Sequence, residues 1–153
     1  MRPFRSLKDP AHIEEIAARL RRLEPTSPRQ WGKMTPHEML CHLADAFHAT
    51  LGERQITSVE TALQRTLVKW IALHTSIPWP KGIPTTPEVD PHRLGTKPVE
   101  FERDRTEVIA LVRRFASPDA NYGRHPAFGA MTREEWLLWA YGHPDHHLRQ
   151  FGL

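Results

Sequence analysis

The stretch Thr35-Pro-His-Glu-Met-Leu-Cys-His-Leu-Ala-Asp-Ala-Phe47 decides the fold of this chain. Thr35 and Glu38 have the spacing of a capping box, in which each side chain bonds to the other residue's backbone N–H, and Pro36 takes the first helical position. Apolar residues then recur at intervals of three and four, which predicts an amphipathic helix with one buried face. Its members are Met39, Leu43, Ala46 and Phe47.

The same signals predict two more helices at the ends of the chain. Asp9 caps a first helix that starts at Pro10 and ends near Leu23. Thr132 and Glu135 form a second capping box, which begins a helix that continues toward the C-terminus.

Periodic apolar residues also predict a main helix from about Val99 to Phe115 and an accessory helix after the capping-box candidate Thr57–Glu60. The accessory helix rests on Val59, Leu63, Leu67, Trp70 and Ile71. The sequence contains no β-type alternation and no internal repeat. We therefore expect one all-α domain over residues 1–153, built as a four-helix bundle.

The segment from Ser76 to Pro98 is too rich in proline and glycine for regular structure. A connection of this length inside a compact domain is usually functional or disordered. Apolar residues within it favour an ordered wrap over the helices. The expected anchors are Ile77, Trp79, Ile83 and Leu94.

Composition and charge exclude several classes of protein. The formal net charge is +3, and the 21 basic residues alternate with 18 acidic ones instead of forming a basic tract, so we expect no nucleic-acid partner. No stretch approaches the roughly 20 apolar residues that span a bilayer. One cysteine excludes an internal disulfide. Residues 1–9 lack the apolar core of a signal peptide, so we expect a cytoplasmic location.

The unusual feature is the presence of ten histidines. Helical residues rotate by about 100° each, which puts His42 at the margin of the buried face of its helix. The same rotation turns His37 and His48 toward water and Cys41 away from His42.

On the C-terminal helix, His143 and His147 share the inward face with Trp136 and Ala140. Imidazoles four residues apart lie within reach of one ion. With His42 they predict a three-histidine metal site. The alternative is three core-edge histidines that hydrogen-bond to backbone carbonyls, although burying them together without a shared partner would be costly.

Three further residues are candidates for contacts around the site. His146 falls at its edge, either near a ligand or substrate or half-exposed at the surface. His125 lies in the turn before the last helix, either over the site or bonded to backbone. Asp45 follows His42 by three residues and either orients a ligand, acts as a base or is a solvated helix acid. No catalytic residue is assigned.

Three stretches resemble the DinB-like superfamily, also described as DinB/YfiT-like metalloenzymes. They are Trp31-Gly-Lys-Met-Thr-Pro-His-Glu-Met-Leu-Cys-His-Leu-Ala-Asp-Ala46, His125-Pro-Ala-Phe-Gly-Ala-Met-Thr-Arg-Glu-Glu-Trp136 and His143-Pro-Asp-His-His-Leu-Arg-Gln-Phe-Gly152. The last is the most specific, because helix 4 of the superfamily carries two metal histidines four residues apart. The chain looks like an uncharacterised branch of that superfamily.

The resemblance implies a four-helix bundle in up-down-down-up order with a long crossover between helices 2 and 3. It implies a divalent ion, zinc or nickel, held by His42, His143 and His147. Pro144 departs from the pattern, because proline inside a helix removes a hydrogen bond and predicts a kink beside His143.

These observations predict a metal-dependent enzyme that acts on a small molecule. Three neutral imidazoles leave an ion with one open coordination position. Water bound there would give hydrolysis. A low-molecular-weight thiol bound there would give the chemistry of the S-transferases that the resemblance implies as relatives. The alternative is a non-catalytic metal-binding or stress-response module. A homodimer is also expected, since dimers are frequent among similar proteins.

Overall fold

The computed structural model describes residues 5–153, and this part of the chain is all-helical. It contains no β-strand, only an isolated bridge between His125 and Gly129. Its α-helices are α1 (Pro10–Arg22), α2 (Pro36–Thr50), α3 (Lys69–His74), α4 (Phe101–Ala116) and α5 (Arg133–Leu148). The prediction of an all-α chain is confirmed. Every helix between residues 5 and 153 is too short or too polar to cross a membrane. The stretch in which we expect no signal peptide is residues 1–9, and residues 1–4 of it lie outside the described range.

The caps predicted for α1, α2 and α5 are confirmed, whereas the Thr57–Glu60 capping box is wrong, because Thr57 bonds to Glu88 instead. The Thr35 hydroxyl accepts a bond from the Glu38 N–H, and the Glu38 carboxylate accepts one of 2.8 Å from the Thr35 N–H. The Thr132–Glu135 box before α5 has the same reciprocal pair. These bonds satisfy backbone donors that a helix N-terminus otherwise leaves unpaired, so each helix begins at a defined residue.

Helix α2 lies at the centre of the molecule. It packs against α4, α5 and a 3-10 turn at Pro87–Val89, and it is buried along most of its length. The shared core includes the fully buried side chains of Phe47, Phe115 and Trp136. Burying an aromatic side chain of this kind stabilises the fold by about 1.5–3 kcal/mol, so the core fixes the position of α2 relative to α5.

The accessory helix is present but exposed. A π-helical turn at Gln64–Val68 leads into α3. The apolar stripe that predicted this helix is not buried, because Leu63, Leu67 and Trp70 are each more than half exposed. The accessory helix is therefore confirmed from residue 62 onward, and most of its apolar side chains face away from the core.

Residues 76–98, the proline segment, wrap over α2 as predicted, but on different anchors. Ile77, Ile83 and Leu94 are exposed, whereas Val89 is 4% exposed and faces α2. Polar contacts hold the rest of the segment, as described below for Asp45. The four-anchor prediction is therefore wrong except for Trp79, which packs against the core. Apolarity alone did not reveal which side of an irregular segment faces inward.

Candidate metal centre

Helices α2 and α5 bring His42, His143 and His147 together. Nε2 of His143 lies 3.2 Å from Nε2 of His42 and 3.2 Å from Nε2 of His147. His42 is 4% exposed and His147 is 9% exposed. One ligand nitrogen from each ring lies within 4.8 Å of the other two, as a shared metal ion requires. We call this group the three-histidine cluster.

Hydrogen bonds on the outer side fix the protonation of two rings. Nδ1 of His42 lies 2.7 Å from the Val89 carbonyl oxygen, and Nδ1 of His147 lies 2.7 Å from Oε1 of Gln150. Both oxygens only accept, so both Nδ1 atoms carry the proton. The Nε2 atoms of His42 and His147 therefore carry no proton, and the lone pair of each faces His143.

A single proton on His143 cannot satisfy this arrangement. Its Nε2–H can donate to only one of the two facing lone pairs. Its Nδ1 is buried without a hydrogen-bond partner. With the His143 proton moved to Nδ1, a cation among the three Nε2 atoms would bind the lone pair of each ring. Zinc–nitrogen bonds of about 2.0–2.1 Å imply tetrahedral N–N separations of about 3.3 Å, which the 3.2 Å spacings match.

Burial keeps the three rings neutral. It lowers the pKa of His42, where the bond to Val89 and the charges of Asp45 and Asp90 partly oppose the shift. It lowers the pKa of His143 and His147 well below 6.5, and the neighbouring imidazoles lower both further. Neutral imidazole is the form that binds a metal ion, so no proton has to be displaced from Nε2 of His42 or His147.

Pro144 does not remove His143 from the cluster. Helix α5 continues through Pro144 to Leu148. The His143 ring packs between two indoles, with its centroid 4.9 Å from Trp139 and 6.2 Å from Trp79. His143, the ligand beside which Pro144 predicted a kink, is thus the central member of the cluster. The two indoles hold its ring in place although Pro144 removes a helical hydrogen bond.

His146 lies beside the cluster, on the wall of a cleft of about 230 Å³. Its ring packs edge-on against His147 at 5.3 Å and against Trp31 at 4.9 Å. Trp79 lines the same cleft and seats its ring on Gly142, where a Cβ would come within 3.1 Å of it. His146 and Trp79 thus connect the cleft to the cluster.

His125 is held within its own turn. Its Nδ1 accepts bonds from the backbone N–H groups of Ala127 and Phe128, at 3.1 Å and 3.0 Å. Its ring stacks on Phe128 and reaches Trp139, which stands between it and His143. Burial lowers the pKa of His125 to about 3. The structure therefore supports the backbone-bonded alternative for this residue.

Asp45 is buried and does not bond to His42. Its carboxylate accepts bonds from Arg54 at 2.7 Å and from the Thr96 N–H and hydroxyl at 2.7 Å and 2.6 Å. The alternative of a solvated helix acid is wrong, because the proline segment covers this face of α2. Asp45 fastens the segment whose Val89 carbonyl holds His42.

Sequence reasoning missed the two groups that orient the ligands. Gln150 follows His147 by three residues, a spacing that puts both on one helical face and was a usable signal. The Val89 carbonyl is backbone in an irregular segment and leaves no trace in the sequence. Gly32, with φ of +84°, leaves room for the Gln150 side chain that bonds to His147, because an added Cβ would clash with the Gln150 amide nitrogen.

The prediction that His37 and His48 face water is only partly right, because their side chains are 20% and 32% exposed. His37 lies 2.7 Å from Asp104, and His48 lies 2.7 Å from Glu53 and 3.0 Å from Glu107. Both rings contact α4, which partly covers the side of α2 that the helical wheel assigned to water. Cys41 lies on this same side and, as expected, does not join the three-histidine cluster.

Comparison with known families places the chain in one of them. The sequence profile of DUF1569, described as a protein of unknown function, matches residues 5–152. The chain belongs to the DUF1569 family. No curated protein and no solved structure matches the chain significantly. The family description names no activity, so the function has to be inferred from the site.

Proposed function

We propose that this DUF1569 protein is a metal-dependent enzyme that binds a divalent cation through His42, His143 and His147. The observation that carries the proposal is that the Nε2 lone pairs of His42 and His147, fixed by hydrogen bonds at Nδ1, both face Nε2 of His143. The donor set suits zinc or nickel. The resemblance to the DinB-like superfamily supports the same ligands, and with them an up-down-down-up four-helix bundle whose crossover includes the proline segment.

Two features favour a catalytic cation over a structural one. Within residues 5–153 the cluster contains three ligands, which leaves a tetrahedral ion one open position. His125, the first candidate for a fourth ligand, uses its Nδ1 in its own turn. His146, the second, lines the cleft. A cleft of about 230 Å³ beside the ligands suits a small-molecule substrate.

The bound cation would supply Lewis acidity and lower the pKa of a water or thiol. Three carboxylates near the cluster make other contacts: Asp145 pairs with Arg19 at 2.8 Å and Arg149 at 2.5 Å, and Asp90 accepts a bond of 2.9 Å from the His92 N–H. Asp45 is similarly occupied by Arg54. This favours a thiol-dependent transferase over a hydrolase that needs a carboxylate base. Burial lowers the pKa of His146, so its ring in the wall of the cleft is neutral.

One observation favours a second candidate, a non-catalytic metal-binding or stress-response module. Trp139 and Trp79 pack on the two sides of His143, and His42 and His147 are almost fully buried. A cation enclosed in this way would be shielded from a substrate unless Trp79 moves. Turnover measurements separate the two candidates.

The test compares metal-stripped and zinc- or nickel-loaded protein in reactions with low-molecular-weight thiols plus electrophiles, and with esters and amides. We expect turnover in the loaded protein only, lost in His42→Ala and kept in His48→Ala, a matched change on the same helix. Turnover that does not depend on metal would overturn the proposal. Stoichiometric metal without turnover would favour the binding module. A homodimer and a cytoplasmic location stay predictions.

A further inference from the structure

A second group of potential metal ligands lies at the interface between α2 and α4. Nε2 of His37 is 2.7 Å from Oδ2 of Asp104, and Sγ of Cys41 is 3.8 Å from the same oxygen. All three ligand atoms lie within 4.8 Å of one another. His37 and Cys41 are four residues apart on α2, so they present nitrogen and sulfur on one helical face.

We propose that His37, Cys41 and Asp104 form a second cation site, separate from the three-histidine cluster and selective for a thiophilic divalent ion such as zinc, cobalt or cadmium. Nitrogen, sulfur and carboxylate oxygen are the donors that zinc takes in proteins. The site lies on the opposite side of α2 from the partners of His42. It includes sulfur, whereas the three-histidine cluster contains only nitrogen donors.

Arg103 prepares Asp104 to act as a single-oxygen ligand. Its guanidinium donates to Oδ1 at 3.1 Å and 2.9 Å. Oδ2 is thereby directed toward His37 and Cys41. The carboxylate is 8% exposed, so its orientation is fixed by these contacts and not by solvent.

The site has an open edge through which an ion and a water ligand can enter. The His37 side chain is 20% exposed and lies in the first turn of α2, whereas Cys41 is 2% exposed. In a tetrahedral site the nitrogen and oxygen would stand about 3.4 Å apart. His37 therefore has to withdraw from Asp104 by several tenths of an ångström, which a partly exposed side chain allows.

Binding is balanced by one proton. The Cys41 thiol loses its proton to solvent as the sulfur–metal bond forms, and the His37 proton moves from Nε2 to the outward Nδ1. The resulting site joins α2 to α4 and stabilises the helix that carries His42.

Cobalt(II) titration of the full chain under a phosphine reductant tests the proposal. Because Cys41 is the chain's one cysteine, a sulfur-to-cobalt charge-transfer band reports this site alone. We expect a band that saturates at one equivalent of cobalt in His42→Ala, at no more than two in the wild type, and that disappears in Cys41→Ser. Binding should weaken at least tenfold in His37→Gln and in Asp104→Asn. His42→Ala should keep the band while losing the other cobalt.

Circular dichroism shows which variants are folded, and His37→Gln, at a partly exposed position, serves if Asp104→Asn unfolds. No band in the folded wild type overturns the proposal. A band whose affinity is unchanged in His37→Gln also overturns it, because the cobalt would then sit on a lone thiol. A band in the wild type together with no cobalt at the histidines would instead overturn the proposed function and leave this site standing.

Discussion

The two sides of α2 give histidine opposite environments. Toward α5, His42 meets only other imidazoles, and its Nε2 faces His143. Toward α4, His37 meets the Asp104 carboxylate at 2.7 Å and His48 meets the Glu107 carboxylate at 3.0 Å. An imidazole beside a carboxylate has a partner for its proton. An imidazole that faces other imidazoles stays neutral and keeps a ring nitrogen with a free lone pair. A metal cation binds to such a nitrogen.

The pKa values follow this division. Burial lowers the pKa of His42, and the opposing contacts are too weak to restore it. Burial also acts on His48, but hydrogen bonds and charges from Glu107 and Glu53 outweigh it and raise the pKa above 6.5. The same helix thus carries one histidine that stays neutral and another that gains a proton readily.

The largest expected effect is the loss of zinc-induced stability in His143→Ala. In a Cys41→Ser background, zinc at a thousand times its Kd should stabilise the fold by about 4 kcal/mol, raising Tm by roughly 10 °C. Scanning calorimetry should show this increase in His48→Ala and not in His143→Ala. An equal increase of Tm with zinc in both variants would show that His143 does not bind the ion, and would contradict the difference proposed between the two sides of α2.

A smaller effect is expected at Gln150, which fixes the tautomer of His147. Gln150→Leu removes the acceptor for Nδ1–H, and zinc affinity should fall about 10–100-fold. Gln150→Glu keeps an acceptor and should stay within a few-fold of the wild type. Chelator competition measures both affinities. Equal affinity in Gln150→Leu and the wild type would show that Gln150 does not orient the ligand.

The next comparison is the response of a carboxylate-free histidine to acid. His125 has a pKa lowered to about 3 by burial, against about 6.5 in the unfolded chain. Below pH 6.5 the unfolded chain therefore binds a proton that the folded chain excludes, and stability falls as pH falls. His125→Gln should lose about 1.4 kcal/mol less stability than the wild type between pH 7.5 and 5.5 in urea unfolding. Identical pH profiles would contradict the burial of this ring.

The smallest expected effect concerns His48, whose contribution to stability grows as pH falls, opposite to that of His125. The pKa of His48 is raised, so its ion pairs stabilise the fold below pH 6.5, and this contribution is lost as pH rises through the folded-state pKa. Because the pairs are partly exposed, His48→Gln should cost no more than about 0.5 kcal/mol at pH 5.5 and nothing measurable at pH 8.5. A larger cost at the higher pH would contradict this assignment.

The sequence was most informative where local rules apply. Capping boxes located the starts of α2 and α5, and helical rotation selected His42, His143 and His147 from ten histidines. The same rotation described His37 and His48 only in part, because a helical wheel does not show that α4 contacts a polar side of α2. The position of Val89 was also beyond prediction, since the path of an irregular segment depends on long-range contacts such as the bond between Asp45 and Thr96.

The most direct test of the three-histidine centre is zinc stoichiometry combined with X-ray absorption in the Cys41→Ser protein. We predict one zinc per chain, surrounded only by nitrogen and oxygen at about 2.0–2.1 Å with the scattering pattern of three imidazoles. His42→Ala and His147→Ala should each abolish stoichiometric binding, while His48→Ala should not. A folded protein that retains no zinc after loading, or that retains it in both His42→Ala and His147→Ala, would contradict the assignment of this centre.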